Sequence, residues 1–120
     1  MNNNDARQYF KETGLDYSVL TEESLYQLTV YLMEELRAHE SLMPMKIHNQ
    51  KGSPFKAITM NGKIREAYFN VDGPYFKSRE AISFNSDGFI GFAGWADSIN
   101  TSPFIRAFVR WVDWLKGGKE

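Results

Sequence analysis

A chain of 120 residues, 42% hydrophobic and 15% aromatic, is the size of one domain (residues 1–120) and holds more rings than a disordered segment would. It has no cysteine, which excludes disulfides, thiolate zinc sites and cysteine catalysis. A net charge of −1 argues against strong generic nucleic-acid binding.

No apolar run approaches the roughly 18 residues of a membrane span, and Met1-Asn2-Asn3-Asn4-Asp5 lacks the basic and apolar parts of a signal peptide, so a cytoplasmic protein is expected. The charge is unevenly spread. Residues 1–42 hold eight acids (Asp5, Glu12, Asp16, Glu22, Glu23, Glu34, Glu35, Glu40) and three bases (Arg7, Lys11, Arg37), whereas residues 43–120 are net basic. Either the two regions face each other or their charges simply scatter, or they form separate binding faces.

In chain order, a short helix is expected near residues 5–12, stopped at Gly14. Thr21 then caps a longer helix running to about Glu40, with Glu22 and Glu23 in its first turn, where the helix dipole favours negative charge. At 100° per residue Leu25, Leu28, Leu32 and Leu36 fall on one side, with Thr29 and Met33 at its edge, and Glu23, Gln27, Glu34 and Arg37 fall opposite. Pro44 argues against continuation.

A β region follows. Residues 45–48 read as a short strand broken at Gly52-Ser53-Pro54. Residues 55–60 and 63–71 flank Asn61-Gly62, a type I′ hairpin signal, because both central residues of that turn need positive φ. Asp72-Gly73-Pro74 reads as a turn. A second hairpin is expected around a three-residue loop, Ser86-Asp87-Gly88, which pairs Asn85 with Phe89, Phe84 with Ile90 and Ile82 with Phe92 and sets four apolar side chains on one face. A two-residue Asp87-Gly88 loop would set Phe84 against Gly91 and bury less.

The last helix opens with Ser102 as cap and Pro103 at its first position. Phe104, Ile105, Phe108, Val109, Trp111, Val112 and Leu115 cover most of its circumference and leave a narrow stripe of Arg106, Arg110 and Asp113. Such a helix must be buried on two sides, between the sheet and either the long helix or a partner. A helix at each end of a run of strands defines the fold class as α+β: an antiparallel four- to five-stranded meander with a long helix before it and a C-terminal helix after it.

Residues suited to chemistry are scattered. His39 lies on the apolar side of its helix and His48 ends a possible strand, without metal-ligand spacing, so no metal site and no cofactor are expected. The neighbours Glu22/Glu23 and Glu34/Glu35 diverge by about 100° on a helix, which suits a solvated face rather than a shared proton. Asp72, Asp87 and Asp97 fall at turns. In Gly88-Phe89-Ile90-Gly91-Phe92-Ala93-Gly94 the glycines lie in a strand, which suits close approach of an aromatic such as Trp95 or Trp111 better than a phosphate cradle. Lys63, Arg65, Tyr68, Lys77 and Arg79 mix bases with rings as single-strand nucleic-acid platforms do, and as ordinary strands with one wet face do. Trp111 suits the core, and Trp114, nearer the polar stripe, suits exposure.

The cassette Phe89-Ile90-Gly91-Phe92-Ala93-Gly94-Trp95-Ala96-Asp97, with Pro103-Phe104-Ile105-Arg106-Ala107-Phe108 and Trp111-Val112-Asp113-Trp114-Leu115, resembles small uncharacterised proteins of Gram-positive phages and prophages. The resemblance implies a context, in which short phage proteins inhibit host defence, anti-CRISPR proteins among them, by binding rather than chemistry. Many such inhibitors mimic DNA by strong negative charge, and this chain departs from that pattern. The expectation is a non-enzymatic inhibitor of a host defence protein, such as a CRISPR effector nuclease, acting in the host cytoplasm. Its partner-binding residues would be Glu23, Glu34 and Trp114. The alternative is a single-strand nucleic-acid-binding accessory protein that uses Lys63, Arg65, Tyr68, Lys77 and Arg79. A homodimer burying the apolar last helix is compatible with both.

Overall fold

A computed structural model describes residues 3–38, 46–47, 54–73, 76–85, 88–92 and 102–118. The architecture is α+β, with helices before and after an antiparallel sheet. Helix α1 (Asn3–Glu12) is followed by a 3₁₀ turn (Tyr17–Val19) and α2 (Glu22–Arg37). The strands are β1 (Lys46–Ile47), β2 (Lys56–Met60), β3 (Lys63–Gly73), β4 (Phe76–Asn85) and β5 (Gly88–Phe92). Helix α3 (Ser102–Asp113) ends in a wide π turn, Trp114–Gly118.

The helix starts follow from side-chain capping. Thr21 accepts from the Ser24 N–H at 3.1 Å and the Ser24 hydroxyl accepts from the Thr21 N–H at 2.9 Å, a reciprocal box that satisfies two otherwise orphaned donors. Asp16 accepts from the Ser18 N–H at 2.8 Å and opens the 3₁₀ turn, which the sequence reading had not resolved. Helix α1 begins at Asn3, two residues early, and α2 ends at Arg37 with Ala38 as its cap, short of Glu40. Helix α3 begins at Ser102 itself.

Strands β2 to β5 form a meander. Strands β1 and β2 share one edge of β3: Ile47 lies opposite Val71 and Lys56 opposite Tyr68. The β2–β3 turn has Asn61 at φ 54° and Gly62 at φ 76°, the double positive φ that a type I′ turn demands. A bulge at Arg65 resets the alternation so that Ile64, Ala67, Phe69 and Val71 all pack inward. Strand β3 runs through Asp72 and Gly73, which were expected in a turn.

The last hairpin corrects the expected register. Ile82 does lie opposite Phe92, but Asn85 pairs with Gly88 and Phe84 with Phe89, rather than Asn85 with Phe89 and Phe84 with Ile90. Ile90 is the extra residue of a bulge, and Gly91 follows it at φ 153°. Strict alternation would place Phe89 and Phe92 on opposite faces. The bulge brings both rings to the core, 5.0 Å apart, with Phe89 4.3 Å from Phe108.

The helices cover one face of the sheet, and α3 packs against both the sheet and α2, so the long helix rather than a partner covers its second side. Phe104, Ala107, Phe108, Trp111 and Val112 of α3 and Leu115 of the π turn are buried, as are Leu25, Leu28, Leu32 and Leu36 of α2. Trp111, 0% exposed, stacks on Phe10 of α1 at 6.3 Å, meets Phe84 of β4 at 5.2 Å, and donates Nε1–H to the Ser24 carbonyl of α2 at 2.8 Å.

Helix α1 also closes the free edge of β5. The Phe92 N–H donates to Asn3 Oδ1 at 3.1 Å, and the Arg7 guanidinium donates to the Ile90 carbonyl. A Cβ at Gly91 would come within 3.1 Å of Asn3 Nδ2, so among the described residues Asn3 and Arg7 use the space at that glycine. Gly94 and Trp95 lie outside the described residues.

Trp111→Phe keeps a ring at the centre but leaves the Ser24 carbonyl short of a donor and a void beside Phe84. The variant should lose about 2 kcal/mol of stability by urea denaturation.

Candidate functional site

Helices α2 and α3 lie side by side, and a polar ridge runs along their junction. Arg110 of α3 reaches Glu34 Oε2 at 2.6 Å and Glu35 Oε1 at 3.5 Å, and its guanidinium sits 4.4 Å above the Tyr31 ring. Arg106 donates to Glu35 Oε2 at 3.0 Å. The acidic N-terminal region and the basic remainder therefore face each other here. Glu35 is 14% exposed and holds both arginines, while Glu34 and Arg110 are both more than two-fifths exposed. Solvent screening limits the Glu34–Arg110 pair to below about 1 kcal/mol, so it positions side chains more than it stabilises the fold.

One turn further along α3, Asp113 accepts from the Tyr9 hydroxyl at 2.5 Å. Lys116 lies 4.0 Å from Asp113 and 5.3 Å over the Tyr9 ring. The hydrogen bond to Asp113, then burial, then the carboxylate's charge raise the Tyr9 pKa above its ordinary 10.0, because each disfavours a second negative charge. Tyr31, Arg110, Asp113 and the half-buried Trp114 line an open depression of about 350 Å³. Glu34 reaches its rim through the ion pair with Arg110.

Two of the three expected partner-binding residues, Glu34 and Trp114, thus meet around Arg110. Glu23 does not join them: it is exposed, eleven residues before Glu34 on α2 and about 16 Å away along the axis. Tyr31 and Tyr9 complete the ridge and were missed in the sequence. Tyr31 was legible, since it stands one turn before Glu34 and Glu35 on the same helix. Tyr9 carried no local signal, because its partner lies 104 residues away.

The expected nucleic-acid set is dispersed. Lys63 is exposed beside the β2–β3 turn, the Arg65 guanidinium lies 4.5 Å over the Tyr17 ring on the helix side, and the Tyr68 hydroxyl donates to Glu66 at 3.2 Å on the opposite face. Lys77 and Arg79 are placed only as backbone positions on β4, with Arg79 opposite Val71. A separate cleft of about 460 Å³ opens between the 3₁₀ turn and the β2–β3 turn, lined by Tyr17, Leu20, Thr59 and Ile64 with Glu22 and Lys63. His39, His48, Asp87 and Asp97 lie outside the described residues. Among the described residues, no group of three or more His, Asp or Glu is gathered as metal ligands would be, and no helix is long and apolar enough to cross a membrane.

No protein-family model, curated protein or solved structure matches this chain.

The raised Tyr9 pKa has a signed consequence. The neutral phenol's contribution is complete below pH 10.0 and is lost as pH rises through the higher folded pKa. Asp113→Ala should lower the Tyr9 pKa, removing the hydrogen bond and the charge while leaving the burial, seen as an earlier phenolate transition in ultraviolet titration.

Proposed function

We propose that this protein works by binding another protein through the ridge at Tyr31, Arg110 and Trp114, and that its partner is a host defence protein, such as a CRISPR effector nuclease, which it inhibits. The observation that carries this reading is the convergence of Tyr31, Arg110, Asp113 and Trp114 on one open depression, with Glu34 ion-paired to Arg110. Tryptophan, tyrosine and arginine are the residues that dominate binding energy at interfaces, and a depression admits an anchoring side chain. Glu34 and Asp113 are exposed carboxylates paired with Arg110 and Lys116, so the ridge offers a partner charges of both signs around its rings.

The choice of a defence protein rests on the resemblance of residues 89–97, 103–108 and 111–115 to phage proteins. A nearly neutral chain suits a local aromatic patch of mixed charge better than duplex mimicry over its whole surface. The nucleic-acid reading draws less support, since Arg65 and Tyr68 serve opposite sides of the sheet.

The test is target cleavage by a purified RNA-guided nuclease with this protein in excess, alongside size-exclusion analysis of the mixture. The wild type should form a stoichiometric complex and suppress cleavage. Trp114→Ala and Glu34→Arg should each weaken the complex about tenfold or more with unchanged circular dichroism. A complex indifferent to both substitutions would remove the ridge, and no complex would remove the defence-nuclease reading.

A further inference from the structure

Helix α2 has a second exposed flank, turned away from α3. Glu23, Tyr26, Val30, Met33 and Arg37 follow one another along it at intervals of three, four, three and four residues. That is the a–d spacing of a helix seam. Tyr26, Val30 and Met33 are 46%, 45% and 39% exposed, large apolar side chains left in water on a helix whose opposite side is the core. Glu23 and Arg37 are exposed as well. The Tyr26 ring is braced edge-on by Phe55 at 5.0 Å, so the seam is held against the residue that leads into β2.

We propose that this seam is the interface of a homodimer in which two α2 helices cross antiparallel about a two-fold axis at Val30. Reversing the helix about Val30 sets Glu23 against Arg37 of the partner subunit and brings Tyr26 within one residue of Met33 of the partner subunit. Both charged residues lie seven positions from Val30, on opposite sides of it. The stripe is therefore apolar at its centre and matched in charge at both ends under the one operation that an isologous dimer requires. Nothing in the binding of an unrelated protein would require that match, and this is what selects a second copy as the occupant. The geometry does not use α3, whose apolar face is filled within the monomer by the sheet and α2.

A helix of 16 residues is about 24 Å long. A contact of that length falls below the roughly 800 Å² per partner of a standard stable interface, so association is expected at micromolar concentration and to be reversible.

Sedimentation equilibrium across a micromolar series should show a monomer–dimer equilibrium in the wild type, and Val30→Asp should be monomeric throughout with its circular dichroism unchanged. Glu23→Arg or Arg37→Glu alone should raise the dimer dissociation constant about tenfold, because each change sets like charges together at both ends of the seam. The double variant Glu23→Arg/Arg37→Glu should recover most of the loss, since both pairs are inverted rather than broken. The chain has no cysteine, so Val30→Cys gives one thiol per protomer, and on the two-fold axis it should oxidise to a covalent dimer. A wild type that stays monomeric across the series, or a double variant no better than the singles, overturns the proposal.

Discussion

The indole of Trp111 stands where α1, α2, α3 and β4 meet, and its burial is the constraint under which the other elements are placed. Its faces and edges are met by Phe10, Phe84 and Phe108. Its one polar atom is satisfied by the Ser24 carbonyl, in the turn that also carries the capping box of α2. A buried N–H left without an acceptor would cost about 1–3 kcal/mol, so the start of α2 is held to the middle of α3 by chemistry as well as by shape. Ser24 joins the two systems: its hydroxyl completes the box and donates to the Val19 carbonyl at 2.5 Å, and this also anchors the 3₁₀ turn.

The candidate site follows from that arrangement. With Trp111, Phe108 and Phe104 directed inward, Arg106 and Arg110 are left on the outer side of α3, one turn apart, where they meet Glu34 and Glu35 of α2. Trp114, four residues after Arg110, falls beside it on the same flank of the helix, half-buried against the core. The polar ridge is thus a by-product of core packing, and its aromatic and charged groups are preorganised at little further entropic cost.

Most of the architecture was legible because local and global signals agreed. Asn61-Gly62 named its turn, Thr21 its cap, and four leucines the buried side of α2. The misplaced register of the last hairpin has a specific cause: alternation was counted through Gly91 as if β5 were regular, and a glycine at φ 153° lets the strand change phase there. The aromatic count around Phe108 was the stronger force and set the pairing. The site was partly legible. That the arginines of the last helix could pair with the acidic helix followed from charge, but the convergence of Trp114 with Glu34 did not, since it depends on how two distant helices cross. The Tyr26–Val30–Met33 seam was hidden by sorting α2 into one apolar and one polar face, when a third flank lay between them.

The side chains of Asn3 and Arg7 occupy the hydrogen-bonding positions that a further strand would need beside β5. At the other rim of the sheet, no strand among the described residues lies outside β2. The sheet is in effect a zipper with a stop at one end. Any strand-to-strand joining between copies must therefore use the rim formed by β1 and β2, because β5 already has its outer hydrogen-bonding positions filled from within the same chain.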